Sequence, residues 1–241
     1  MTVPVVFLHH AGGGAADWSD LCGLLGPWAD PLALDLPGHG ARVLEDPLTT
    51  VEAMASFVLA SIRERWSSPA ILVGHSMGGA VALQAALDHR EVVGGLVLLS
   101  TAARLRVATT LLDLVREHFS ELPQQMVALG FAPSADSAVA ARWMSGPWPA
   151  STAAAVADFA ACDRFDVRVR LGEVVVPAVV MVGEQDMMTP VKRARELAEG
   201  IAGARLRTFP DAGHLLIWEN PNEIADEIRT IADEASRRAV R

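Results

Sequence analysis

The strongest constraint on the 241-residue chain lies in residues 69–89, PAILVGHSMGGAVALQAALDH. Ala70 to Val73 is a short apolar run suited to a fully buried strand. Gly74-His75-Ser76-Met77-Gly78 follows, and small and apolar residues then continue at helical spacing to Leu87. Strand, G-x-S-x-G and helix in that order are the sequence form of a nucleophile elbow. The turn forces the serine into strained backbone geometry, so the residues two before and two after it must lack a Cβ; Gly74 and Gly78 meet that need. Gly79, Ala80 and Ala82 let the helix sit close against a sheet. The competing reading is a tight turn without chemistry, and the strand and helix on either side argue against it. Ser76 is the candidate nucleophile.

The rest of the chain builds a frame around this turn. Residues 3–9 read as a buried strand, followed by a glycine-rich loop, His9-His10-Ala11-Gly12-Gly13-Gly14. As a phosphate cradle the loop fails, because G-x-x-x-x-G-K-[ST] is absent and the acid of a dinucleotide site is not evident. Beside an elbow serine it has another use: acyl transfer builds negative charge on an oxygen, and preorganised backbone N–H groups stabilise it. Met77, just after the serine, would supply one donor and Ala11 the other. Residues 31–36 give a second strand, closed by Pro37-Gly38-His39-Gly40. Thr49 or Thr50 caps a helix running to about Trp66, and residues 92–100 form another apolar strand. Strands alternating with helices imply a mainly parallel twisted sheet with helices on both faces, an α/β class fold.

The alternation breaks over residues 102–172. Helical spacing spans 105–119, then proline and glycine interrupt, and the stretch reads as several short helices inserted between strands. The expected organisation is a core of residues 1–101 and 173–241 with a helical cap of residues 102–172. Trp143 and Trp148 are among the large side chains gathered in the insertion; most should pack it onto the body, while one or two line an apolar substrate pocket. Strands resume at 174–182 and 204–209, with a helix between them from Pro190 to about Glu199. A last helix spans 221–237, with Asn220 as N-cap and Pro221 at its first position.

A serine hydroxyl needs a base, and the base needs an orienting partner. Asp186 lies just past the strand ending near Gly183, and His214 follows the final strand. In a parallel sheet both would stand on loops beyond the carboxyl ends of strands. The order Ser76, Asp186, His214 is the one expected. Asp158, Asp163 and Asp166 remain outside candidates for the acid. Among the histidines, His39 sits in a Pro-Gly turn and His75 inside the elbow, pointing away from Ser76. His89 and His118 fall at helix ends, and His9 and His10 precede the serine, which leaves His214 favoured as base.

Composition narrows the classes. Hydrophobic residues make up 51% of the chain, enough for a sizeable core. A net charge of −9 with a pI near 5.2 argues against nucleic acid or an anionic membrane as partner. Cys22 and Cys162 have no metal-binding spacing and read as buried free thiols. Neither a signal peptide nor a run of the roughly 20 apolar residues needed for a membrane span is visible, so a soluble cytoplasmic protein is expected.

These residues carry a resemblance. The loop at 9–14, Asp35-Leu36-Pro37-Gly38-His39-Gly40, Gly74-His75-Ser76-Met77-Gly78-Gly79, Gly183-Glu184-Gln185-Asp186 and Asp211-Ala212-Gly213-His214 together resemble the α/β-hydrolase superfamily over nearly the whole length. The resemblance implies nucleophile Ser76, acid Asp186, base His214, oxyanion donors Ala11 and Met77, and a helical cap over the site. It also implies that the family's usual first two strands are missing. His10 stands where the family usually has Gly, which makes it a candidate substrate-binding residue, and His10-Ala11-Gly12-Gly13 resembles the loop of type II thioesterases. Tyr is absent from the chain. Epoxide hydrolases and haloalkane dehalogenases of this fold use an Asp nucleophile, so both activities are set aside.

The expected function is a serine hydrolase of carboxylic esters or lactones that works without cofactor or metal on a small-molecule substrate. Thioester hydrolysis, carbon–carbon hydrolysis on the same triad, and a non-catalytic ligand receptor are the alternatives. Oligomeric state is not legible.

Overall fold

The computed structural model describes residues 2–145 and 150–239. Six strands form one sheet: β1 (Val3–Leu8), β2 (Ala29–Leu34), β3 (Ala70–His75), β4 (Val93–Leu99), β5 (Ala178–Gly183) and β6 (Arg205–Phe209). Their order is β2-β1-β3-β4-β5-β6, and every pairing is parallel. The expectation of a mainly parallel sheet is therefore met without an antiparallel strand.

Side-chain alternation explains why both faces are covered. On β1, Val6 and Leu8 join one core, shared with α2 (Val51–Arg65) and α3 (Met77–Asp88). Val5 and Phe7 join the other, shared with α1 (Ser19–Leu24) and a C-terminal helix spanning Pro221–Ala239. That C-terminal helix places Ile224, Ile228 and Ile231 at helical spacing, all fully buried against the sheet. Thr50 caps α2, its hydroxyl accepting the Ala53 N–H at 3.1 Å. Pro31 is tolerated in β2 because β2 lies at the sheet edge, where no ladder partner needs its missing N–H.

Among the described residues, four α-helices lie between β4 and β5: α4 (Thr109–Glu117), α5 (Leu122–Gly130), α6 (Ser137–Ser145) and α7 (Thr152–Arg164). Beyond β5 come α8 (Val191–Gly200), the short α9 (Leu216–Glu219) and α10 (Pro221–Ala239). Two boundaries differ from expectation by four residues. The helix expected over 105–119 begins only at Thr109, because Leu105 donates its N–H to Phe165 and Ala103 accepts from Val167, which holds that stretch extended. β5 starts at Ala178 rather than near 174; Pro177 has no N–H for the ladder, and Val174 instead closes a short 3₁₀ turn, Arg168–Glu173. Among the described residues, no helix is long and apolar enough to cross a membrane.

Strand order reverses direction between β1 and β3. In open parallel sheets the loops at the carboxyl ends of two such strands diverge and leave a crevice. Here those loops are the glycine-rich stretch after β1 and the elbow after β3.

Candidate active site

Ser76 sits between β3 and α3 with φ 52° and ψ −113°, a conformation L-residues rarely adopt. Its backbone is held from both sides: the N–H donates to Leu99 at 2.9 Å, and the carbonyl accepts the Thr101 hydroxyl at 2.8 Å. The two flanking glycines serve the purpose expected of them. A Cβ on Gly74 would collide with the Gly78 carbonyl, and one on Gly78 would enter the Leu8 carbonyl of β1. Both obstacles are backbone and cannot swing aside. Gly78→Ala is accordingly expected to lower stability by about 3 kcal/mol, measured as a shift in the urea unfolding midpoint at constant slope.

His214 and Asp186 meet as the sequence order suggests. His214 Nδ1 lies 2.9 Å from Asp186 Oδ2 and 3.1 Å from Oδ1, with both side chains buried. The Asp186 carboxylate accepts further bonds from the Met188 N–H at 2.9 Å, the Thr189 N–H at 2.7 Å and the Thr189 hydroxyl at 2.7 Å. Burial pushes this carboxyl up, but His214 and the Thr189 donors outweigh it and hold the group well below the usual carboxylate range. Asp186 is thus an anion facing the imidazole. Because a carboxylate only accepts, a proton of His214 is assigned to Nδ1.

Thr189 was missed in reading the sequence. Its signal was the D-x-x-T spacing ahead of Pro190, in which a carboxylate receives N–H groups two and three residues on. His75 has a structural place: its ring nitrogen Nε2 donates to the His214 carbonyl at 2.7 Å. Burial, with the neighbouring His214 and His10, pushes His75 well below the usual imidazole range, so it is neutral.

The loop after β1 closes as a turn in which the Gly13 N–H reaches the His10 carbonyl at 2.9 Å. Gly12, at φ 76°, occupies the position that requires a glycine. His10 therefore does not take the left-handed site. Its ring is 4% exposed and packs edge-on against His75 and Trp218, with centroids 5.3 and 5.8 Å away. His10 Nδ1 donates to the Ala11 carbonyl at 2.9 Å.

Ser76, His214 and Ala11 together line a cleft of about 340 Å³. Its walls are mainly apolar, from Leu105, Val107, Leu111, Leu129, Phe159 and Met188. Met77 occupies the first position of α3, where an N–H has no intrahelical acceptor. Neither His10 nor Trp143, both candidates for substrate contact, is among the residues lining this cleft. His10 is turned into the body as described, and Trp143 packs against Phe131 and Trp218, with centroids 6.1 and 6.2 Å away. Trp148 lies outside the described residues. Cys162, a free thiol on α7, does line the cleft, and burial first, then Asp158 and Asp163, push its pKa up, so it is held as the unreactive thiol. Cys22 is free as well but only half-buried.

The three rival carboxylates go elsewhere. Asp163 accepts the Val107 N–H, and Asp166 pairs with Arg168 at the surface. Asp158 is fully buried but bonds His39 and Gly12 rather than His214.

The fold is shared with known proteins. Residues 5–227 match the model of the alpha/beta hydrolase family. Among curated relatives, 2-hydroxy-6-oxo-6-phenylhexa-2,4-dienoate hydrolase of Comamonas testosteroni is 27% identical, over 91% of this chain and 84% of that one. Pimeloyl-[acyl-carrier protein] methyl ester esterase of Neisseria meningitidis is 28% identical, over 87% and 86%. Among solved structures, the enol-lactonase of Burkholderia xenovorans LB400 superposes with a TM-score of 0.88 at 24% identity, covering 97% of this chain and 92% of its own, which shows a shared fold. With a family match reaching from β1 into α10 and hydrolases as its named relatives, the molecule is an enzyme and belongs to the alpha/beta hydrolase family.

Proposed function

We propose that the protein hydrolyses a carboxylic ester or lactone through an acyl-enzyme on Ser76. The observation that carries this reading is the buried Asp186–His214 pair opening onto the same cleft as the strained serine. His214 Nε2 takes the Ser76 proton as Oγ attacks the carbonyl carbon, and Asp186 stabilises the imidazolium that forms. The N–H groups of Met77 and Ala11 receive the oxyanion, helped by the positive end of α3. Collapse of the tetrahedral species expels the alcohol, which takes the proton from His214. Water, activated by the same histidine, then frees the acid and restores the serine. Residues 102–172 serve as a cap whose Leu105, Val107, Leu111 and Phe159 supply apolar contact for the acyl or alcohol chain; His10 and Trp143 shape the site from behind this lining.

A second reading, an ester or thioester bearing an anionic arm, is favoured by one observation. A recess sharing Leu105, Arg106, Met188 and Thr189 with the cleft is also lined by Arg104, Arg168 and Arg193. Arg104 and Arg168 pair with Asp166 there and Arg193 with Glu196, so an anionic arm would meet Arg106 first and the paired guanidinium groups only by sharing them with their carboxylates. The relative that acts on a pimeloyl-[acyl-carrier protein] ester fits such a preference, as the dienoate hydrolase relative fits carbon–carbon cleavage by the same residues.

Labelling by a fluorophosphonate probe, mapped to Ser76 by mass spectrometry, tests the nucleophile. A turnover panel of neutral aryl esters, lactones, dicarboxylic half-esters and acyl thioesters then separates the readings. Neutral esters or lactones turning over at least tenfold faster than the rest supports the first reading, whereas a preference for anionic arms that fades with salt supports the second. An unlabelled protein without turnover would exclude both.

A further inference from the structure

Asp158 and His39 form a buried pair that the chemistry above does not use. Their side chains are each 1% exposed, and His39 Nε2 stands 2.9 Å from Asp158 Oδ2. The same oxygen accepts the Gly12 N–H at 2.9 Å. Oδ1 has no hydrogen-bond partner among the described residues, so the hold of this carboxylate falls on Oδ2. His39 Nδ1 faces the Pro37 carbonyl at 3.2 Å, an acceptor only, and therefore carries a proton. A proton on Nε2 as well makes His39 an imidazolium against a carboxylate.

Ala11 lies between two peptide planes, and both are fixed by side chains. In the His10–Ala11 peptide the carbonyl accepts from His9 Nδ1 at 2.8 Å and from the Gly13 N–H at 2.9 Å. A peptide group is planar, so fixing that carbonyl also fixes the direction of the Ala11 N–H on its far side. In the Ala11–Gly12 peptide the carbonyl accepts from His10 Nδ1, and the N–H donates to Asp158. The first three fixings come from the loop itself. The fourth comes from α7, on the segment inserted between β4 and β5, and a backbone bridge between His39 and Ala150 ties the loop after β2 to the same segment.

We propose that Asp158 and His39 are positioning residues that hold the Ala11–Gly12 peptide from the inserted segment, and so keep Ala11 in place for its N–H, aimed by the preceding peptide, to bind the oxyanion. The proposal rests on the reading of Ala11 as an oxyanion donor. A donor on Nε2 is what makes the hold effective: Asp158 Oδ2 accepts from both the Gly12 N–H and the protonated His39 ring, and a neutral His39 keeping its Nδ1 proton would turn a lone pair toward it. Burial lowers the basicity of His39, but Asp158, with the Pro37 and Leu36 carbonyls, more than reverses this, so its pKa lies above the ordinary 6.5. The pair therefore contributes most below about pH 6.5 and loses its contribution as pH rises through the folded-state value. Other titratable groups near it are His9, whose ring lies 4.6 Å from His39 and which burial holds neutral, His10 with its neighbour Asp17, and Cys162 and Asp163 on α7.

The test combines two variants with two measurements. Asp158→Ala should lower kcat on p-nitrophenyl acetate by about 10- to 100-fold, less than the loss of a whole oxyanion donor, with KM within about threefold. Amide hydrogen exchange at Ala11, Gly12 and Gly13 should rise at least about tenfold in the same variant. His39→Gln, which can still donate to Oδ2 but cannot titrate, should keep kcat within about fivefold of wild type at pH 7. The wild type should lose kcat on the alkaline side as His39 gives up its proton, and His39→Gln should remove that fall. A kcat for Asp158→Ala near that of wild type would overturn the proposal, as would an alkaline fall that persists in His39→Gln. If the wild type neither turns over esters nor labels with a fluorophosphonate, the hydrolase reading fails by itself. The exchange experiment still decides the loop: raised exchange upholds the positioning, and unchanged exchange overturns it.

Discussion

Ser76→Ala is expected to lower kcat on any ester by about 10⁶-fold, the scale seen when a triad serine is removed, while leaving the melting temperature almost unchanged. Alanine keeps a Cβ, so the strain of φ 52° stays and only the hydroxyl is lost. Ser76→Gly separates chemistry from strain. It should be equally inactive, yet more stable than the alanine variant by about 1 kcal/mol. Relief of a strained backbone is worth about 1–3 kcal/mol, and the greater freedom of glycine in the unfolded chain returns about 0.5–1 of that. Matched thermal melts and ester assays of the two variants are the measurement. If alanine retains more than a hundredth of wild-type kcat, Ser76 is not the nucleophile. If glycine is the less stable of the two, the strained turn is a relaxed one.

The elbow was legible because its demands are local. A serine at that backbone geometry excludes a Cβ at positions 74 and 78 and needs a strand before and a helix after, all within some 20 residues. Asp186 and His214 were legible for a topological reason, since parallel strands deliver their following loops to one edge of the sheet. What escaped depended on contacts distant in sequence. Asp158 and His39 are 119 positions apart, and nothing near either marks a partner. Asp158 was weighed as a rival catalytic acid because it is a carboxylate ahead of the last strands; α7 turns it toward the loop after β1 instead. The direction of the His10 ring was not legible, because a side chain where the family usually has glycine can project into the pocket or turn into the body. The glycine requirement falls on Gly12, and the ring of His10 folds back to bond the Ala11 carbonyl. The short helices α1 and α9 escaped because segments of 6 and 4 residues are too brief to show a helical period.

Asp186→Asn is expected to lower kcat by about 10⁴-fold, the cost of a wrong histidine tautomer. The hydrogen bonds around this side chain say why. Oδ1 accepts the Met188 and Thr189 N–H groups, so the amide oxygen of asparagine would stay there. Its NH₂ would then take the place of Oδ2 and point a donor at His214 Nδ1. The imidazole can accept only by moving its proton to Nε2, the atom that must receive the proton of Ser76. Asp163→Asn and Asp166→Asn should change kcat less than about threefold, since these carboxylates serve a loop N–H and surface arginines. Asp158→Asn should stay within about a hundredfold, because it disturbs the position of one donor rather than the base. Acid stability supplies an independent readout. Asp186 is held below its ordinary range in the folded chain, so its contribution is present above about pH 3.9 and is lost as pH falls through the folded-state value. The asparagine variant should lack that part of the acid-side slope. A larger kcat loss at Asp163 or Asp166 than at Asp186 would move the acid to the inserted segment, and an unaltered acid slope would mean that the carboxylate is not the anion its four donors imply.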